Sequence, residues 1–96
     1  MKAKITRAYK TSNVHEISVD FDGSYYLVIF GKHINGYFIA IPNWGKSCEA
    51  TDPTNTFYNY EKLHEYFDKK VAQAIADAIS EYWSKLQEAK ENNEES

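Results

Sequence analysis

Cys48 and three histidines, His15, His33 and His64, are the side chains of this chain with the most obvious capacity for covalent chemistry. A thiol beside an imidazole makes a nucleophile. The three histidines, however, sit on three separate predicted elements, and the simpler reading of Cys48 is a loop cysteine without a role. Zinc ligation by the same histidines with Glu49 or Asp52 needs short spacings such as C-x-x-C or H-E-x-x-H, and none occurs. Gly31 and Gly36 lack the following Lys-Ser/Thr of a phosphate loop. Glu49 and Asp52 are close enough in sequence for acid–base work. The competing reading is a pair of solvated loop carboxylates, one of them capping local backbone.

Recognition is better served than catalysis. Trp44 follows Pro42 and Asn43 at a strand break, and Trp is enriched at binding hot spots. Its alternative is a lid over one end of the core, with Phe57 and Tyr58 beneath. Asn43 either contacts a partner or ties the loop backbone together. Tyr58 and Tyr60 offer rings, but base stacking favours interleaved Arg or Lys, and none precedes Lys62 in that run. The site set read from the sequence is therefore Asn43, Trp44, Glu49, Asp52 and Tyr58, with no catalytic residue, metal or cofactor.

The elements that must position these residues follow from periodicity. Residues 2–10 alternate, with Ala3, Ile5, Arg7 and Tyr9 on one side, as a charged edge strand does. Ser12-Asn13 is a turn signal. Residues 14–21 alternate again, with His15, Ile17, Val19 and Phe21 facing one way. Asp22-Gly23 predicts a type I′ hairpin, which needs positive φ at both central positions. Residues 24–31, SYYLVIFG, are apolar on both faces and predict a central strand. Asn35-Gly36 predicts a second hairpin into 37–41. Pro42 ends that strand, Gly45 permits a left-handed turn, and 46–56 reads as a long polar loop.

Two helices follow. Asn59 is the expected cap of a short helix over 60–67, with Tyr60, Leu63 and Phe67 on one face. Asp68 is the expected cap of a long helix over 69–89, with Phe67 stapling its entry. Val71, Ala72, Ile75, Ala76, Ile79, Tyr82, Trp83 and Leu86 form its apolar stripe. The predicted fold is α+β: a four-stranded antiparallel meander packed on one face by a long C-terminal helix, with a short helix before it. Residues 1–89 form one domain, and 90–96 an acidic frayed tail.

Composition bounds the function. Ninety-six residues suit one domain. Aromatic residues make up 16% of the chain, enough to leave some of them exposed. The net charge of −3 implies no partner by itself. Residues 60–96 carry five Lys against nine Asp and Glu, so the acidic excess lies on the long helix and tail rather than in a basic stripe. One cysteine forms no intrachain disulfide. No leader-like apolar run follows Met1, and no stretch reaches the roughly 18–20 apolar residues of a membrane helix. The expected compartment is the cytoplasm.

The run IPNWG over 41–45, then Glu49, then TFYNYEKL over 56–63, resembles an uncharacterised family of small proteins found in phages, conjugative elements and genomes of Gram-positive gut bacteria. The similarity covers about residues 37–80. It implies a phage or mobile-element accessory context and supplies no catalytic residue. Three functions follow in order of preference. The first is a small non-enzymatic module that binds another protein through the Trp44 loop or an acidic helix face, with imitation of DNA as a sub-case. The second is a nucleic-acid or small-ligand binder using Trp44 and Tyr58. The third is a Cys48-dependent enzyme. A homodimer through Tyr82, Trp83 and Leu86 is a further expectation.

Overall fold

The computed structural model describes residues 3–11, 13–34 and 36–95. Its strands are β1 (Lys4–Thr11), β2 (Val14–Phe21), β3 (Ser24–His33), β4 (Gly36–Ile41) and β5 (Lys46–Ala50). They form one sheet in the order β1-β2-β3-β4-β5, with every neighbouring pair antiparallel. Two helices complete the α+β fold, α1 (Thr56–His64) and α2 (Lys69–Glu95).

The sheet has five strands where the sequence predicts four. Residues 46–50, KSCEA, are polar enough to read as loop, yet they pair with β4 from Ile41↔Lys46 to Tyr37↔Ala50. As an edge strand, β5 needs only its inward side apolar, and Cys48 and Ala50 supply it. Gly45, at φ 66°, makes the tight reversal that lets the chain return alongside β4.

Asp22 and Gly23 have φ of 51° and 78°, as the predicted hairpin turn requires. The Ser12-Asn13 and Asn35-Gly36 turn signals fall partly on Ser12 and Asn35, which lie outside the described residues. Gly31 is required by a close crossing: a Cβ there would come within 2.4 Å of the Asn13 carbonyl oxygen.

β1 departs from simple alternation. Ile5 pairs with Val19, but Arg7 pairs with Ser18, so a bulge at Thr6 reverses the parity. Ile5 therefore turns inward while Arg7 and Tyr9 share the outer face, contrary to the single face predicted for them. β3 is the central strand as predicted, though its two faces differ. Tyr26, Val28 and Phe30 are buried, while Leu27 and Ile29 are half-buried and Tyr25 is exposed.

The core lies between the inward face of the sheet and α2. Ile17, Val19, Val28, Ile39 and Ile41 meet Ile75, Ile79 and the buried alanines Ala72 and Ala76. Each buried Ile or Val contributes about 1.5–3 kcal/mol of transfer free energy. The alanines let the helix backbone approach the sheet closely. His15, Ile17, Val19 and Phe21 face the helix as expected, and all four are buried.

Asp68 caps α2 through its Oδ1, which accepts from the Val71 amide at 2.9 Å. α2 extends to Glu95, beyond the predicted end at 89; the side chains of 90–96 lie outside the described residues. α1 begins earlier than predicted. Asn55, not Asn59, is its cap, with Oδ1 accepting from the Tyr58 amide at 3.2 Å. Phe67 lies past the end of α1. Among the described residues no helix is long and apolar enough to cross a membrane.

Candidate functional site

The corner after β4 is built by a proline that stops a ladder and an asparagine that continues it. The β3–β4 pairing runs from His33↔Gly36 to Ile29↔Ala40. The next outward-facing position on β3 is Leu27, and the residue that would meet it is Pro42, which has no N–H to give. Asn43 closes the gap with its side-chain amide. Its Oδ1 accepts from the Leu27 amide at 2.9 Å, and its Nδ2 donates to the Tyr25 carbonyl at 2.9 Å. A side-chain amide carries one acceptor and one donor group, as a peptide unit does, so Asn43 spans the Leu27 amide and the Tyr25 carbonyl and carries bonding to β3 past Pro42.

Trp44 is fixed by the same carbonyl. Its Nε1 donates to Tyr25 O at 2.9 Å. The indole stacks on buried Tyr26, with centroids 5.0 Å apart and an interplanar angle of 16°, and meets Phe67 edge-on at 6.2 Å. It is nevertheless 46% exposed. Trp44 is thus both a lid and a surface. The rings beneath it are Tyr26 and Phe67 rather than the expected Phe57 and Tyr58, which are exposed. Exposed Tyr66 belongs to the same end of the molecule, with Lys46 Nζ 5.6 Å from its ring centroid. Of these neighbours, the sequence singles out only Phe67, on the apolar face of the short helix and as a staple for the long one. Tyr25 and Tyr26 were hidden inside an apolar run that reads as core.

The other sequence-predicted residues are placed elsewhere. Asp52 shapes the β5–α1 connection: its Oδ1 accepts from the Thr54 amide at 2.9 Å and the Thr54 hydroxyl at 2.6 Å. Those bonds hold its carboxyl below the usual range. Asn59, read as a cap, is 1% exposed. It accepts from the Thr51 amide at 2.9 Å and donates to the Asp52 carbonyl at 3.3 Å, stitching α1 to the end of β5. Glu49 is exposed on β5, opposite Phe38 on the outer face of the sheet. Glu49 and Asp52 do not share a cleft.

Tyr58 stands at the start of α1, with Lys62 Nζ 5.6 Å from its ring centroid. Asn59 ties that end of α1 to Thr51, beyond the Ala50 end of β5, whereas Trp44 precedes the Lys46 end. The length of β5 separates them, about 13 Å for its span. Trp44 and Tyr58 do not form one stacking platform.

Cys48 faces inward and is half-buried. Burial first, then the Glu65 carboxylate, push its thiol up to about 11, so it is protonated at neutral pH. Two histidines are engaged away from it. His64 Nδ1 lies 3.0 Å from Phe67 O. His15 Nδ1 lies 3.1 Å from the Tyr82 hydroxyl, and its ring stacks on Phe30. Burial, followed by the Lys10 charge, lowers the His15 pKa. The His33 side chain lies outside the described residues. Among the described residues no group of three His, Cys, Asp or Glu could hold a metal ion.

Tyr82 and Trp83, expected on a dimer face, are half-buried around His15, with Trp83 edge-on at 5.4 Å. On the outer side of α2, Gln73 Nε2 donates to Asp77 and Lys85 pairs with Glu81 at 3.1 Å. A groove of about 620 Å³, missed in the sequence, runs along α2, lined by Lys69, Lys70, Asp77 and Glu81 of the helix with Asp22, Phe21 and Ala74.

No curated protein and no solved structure matches this chain. Residues 1–87 match the profile of a family of unknown function, DUF6618, and the chain belongs to that family.

Proposed function

We propose that this protein is a small non-enzymatic binding module, a cytoplasmic accessory protein of a phage or mobile element, that binds another protein through the Trp44 corner. The observation that carries this reading is the state of the indole. One face is seated on Tyr26, its N–H is already satisfied by Tyr25, and 46% of its surface is open. A ring held in this way loses little conformational entropy when a partner covers it, which is the economy expected of a hot spot. With its N–H satisfied internally, the indole offers the partner apolar and stacking contact rather than a hydrogen-bond donor.

The acidic helix face is the weaker choice. Its carboxylates are interleaved with Lys69, Lys70 and Lys85, and two of them have partners on the helix itself. The separation of Trp44 from Tyr58 along β5 also weighs against a single nucleic-acid platform.

The test is quantitative affinity capture with tagged full-length chains: wild type, Trp44→Ala, and Phe57→Ala as a control at another exposed aromatic. A partner held by wild type and Phe57→Ala but lost at least tenfold with Trp44→Ala supports the reading. Equal capture by all three removes the corner as the contact.

A further inference from the structure

Two exposed rings stand at the Trp44 corner, and a lysine decides what they can receive. Trp44 meets Phe67 edge-on at 6.2 Å, and Tyr66 precedes Phe67 in the chain. Tyr66 is 49% exposed. Lys46, two residues after Trp44, places its Nζ 5.6 Å from the Tyr66 ring centroid. Strand pairing explains the reach. Lys46 pairs with Ile41, which is buried on the helix side of the sheet, so the lysine leaves β5 on that side. Exposed aromatic faces by themselves attract a cation. Here the Lys46 ammonium already lies over one of them and repels a second positive charge. The ammonium is itself uncompensated: Lys46 is exposed and forms no ion pair among the described residues. Two acids flank Tyr66-Phe67. Asp68 caps α2 at the Val71 amide, and Glu65 is close enough to Cys48 to raise its pKa but makes no ion pair with Lys46.

We infer that the Trp44 corner receives a peptide stretch of a partner protein that carries an acidic side chain beside an apolar anchor. The anchor covers the open indole, and the carboxylate pairs with Lys46. This rests on the proposed role of Trp44 and adds the partner's chemistry to it. A charge at the rim of a covered ring sets which partner is accepted and how binding responds to salt, more than it sets affinity. A nucleic-acid strand also joins anions to stacking rings, but it would carry its row of phosphates past Glu65 and Asp68 as well. A single carboxylate need meet only Lys46.

A random dodecapeptide library displayed on phage, selected on the full-length chain, tests this. Peptides held by wild type and lost with Trp44→Ala should combine an aromatic or large aliphatic residue with a nearby Asp or Glu. A synthetic peptide of that consensus should bind Lys46→Glu about tenfold more weakly, and should bind wild type more weakly as salt rises. Selection repeated on Lys46→Glu should exchange the acid for Lys or Arg. Trp44-dependent peptides without an acid, or a preference unmoved by Lys46→Glu, overturn the inference and leave the Trp44 reading standing. A selection with no Trp44-dependent peptide removes both. Oligothymidylate that displaces the consensus peptide at matched salt would assign the corner to nucleic acid and overturn the inference as well. Should Lys46→Glu fail to fold, Lys46→Gln decides, since it removes the charge and keeps much of the stem.

Discussion

Asn43 shows how one side-chain amide can carry bonding to a neighbouring strand past the proline that ends the ladder. Its two bonds to β3 are solvent-accessible, so their net value is about 1 kcal/mol each rather than the larger cost of an orphaned buried group. Asn43→Ala should therefore lower unfolding stability by about 1–2 kcal/mol in urea titration. Asn59→Ala should cost about 2–3 kcal/mol, because the amide it removes is buried and leaves the Thr51 N–H without its partner. Cys48 makes a chemical prediction. A thiol held near 11 carries roughly a hundredth of the thiolate of an ordinary cysteine at pH 8. Its alkylation by iodoacetamide should be about 100-fold slower than that of a model thiol, and should speed up only as the pH approaches 11. Ordinary reactivity at pH 8 would mean that the thiol is not buried as described. Sequence patterns placed Asn43 and Trp44 at a strand end. They did not reveal that both would converge on one carbonyl, because that contact joins residues 18 and 19 apart in the chain.

The elements were legible in proportion to how strictly burial enforces a period. β2 alternates cleanly because one side is sealed by α2, and α2 itself announces its stripe over several turns. Asp22-Gly23 was legible because few residue pairs tolerate positive φ twice. β5 was not, since an edge strand with two small inward residues leaves a polar string with no strong period. The bulge at Thr6 was also hidden: KAKITRAYK alternates perfectly on paper, and only pairing with β2 shows the parity reversing. α1 was misplaced by four residues because two asparagines, 55 and 59, are equally good caps locally, and tertiary contact with Thr51 decided between them. The alanines of α2 give this scale its prediction. Ala76 is fully buried against the sheet and Ala89 is exposed. Ala76→Leu should destabilise by about 1–3 kcal/mol through overpacking. That corresponds to a fall in Tm of roughly 4 °C or more for a domain of this size. Ala89→Leu should change Tm little. Equal effects would mean that the helix is rotated from its described face.

At the scale of the molecule, a sheet–helix sandwich closes on a core whose edge holds the His15 imidazole. His15 is buried against Phe30, Tyr82 and Trp83, and its pKa lies below the ordinary 6.5. A base whose folded pKa is depressed stabilises the fold fully above the unfolded value. That contribution is lost as pH falls from 6.5 through the folded value, because the unfolded chain takes up the proton first. Thermal melts should therefore show stability declining below about pH 6.5, and His15→Phe should flatten that decline. If His15→Phe leaves the slope intact, the decline arises in other groups.

The account rests most heavily on Trp44 being a braced ring offered to an outside protein. Replacing Trp83 with Phe leaves Trp44 as the sole indole, so its fluorescence reports on that corner alone. Acrylamide should quench the free Trp83→Phe protein readily, and the captured partner, added back, should suppress that quenching. An indole already shielded in the free protein, or one left equally open to acrylamide when the partner is bound, would contradict the account.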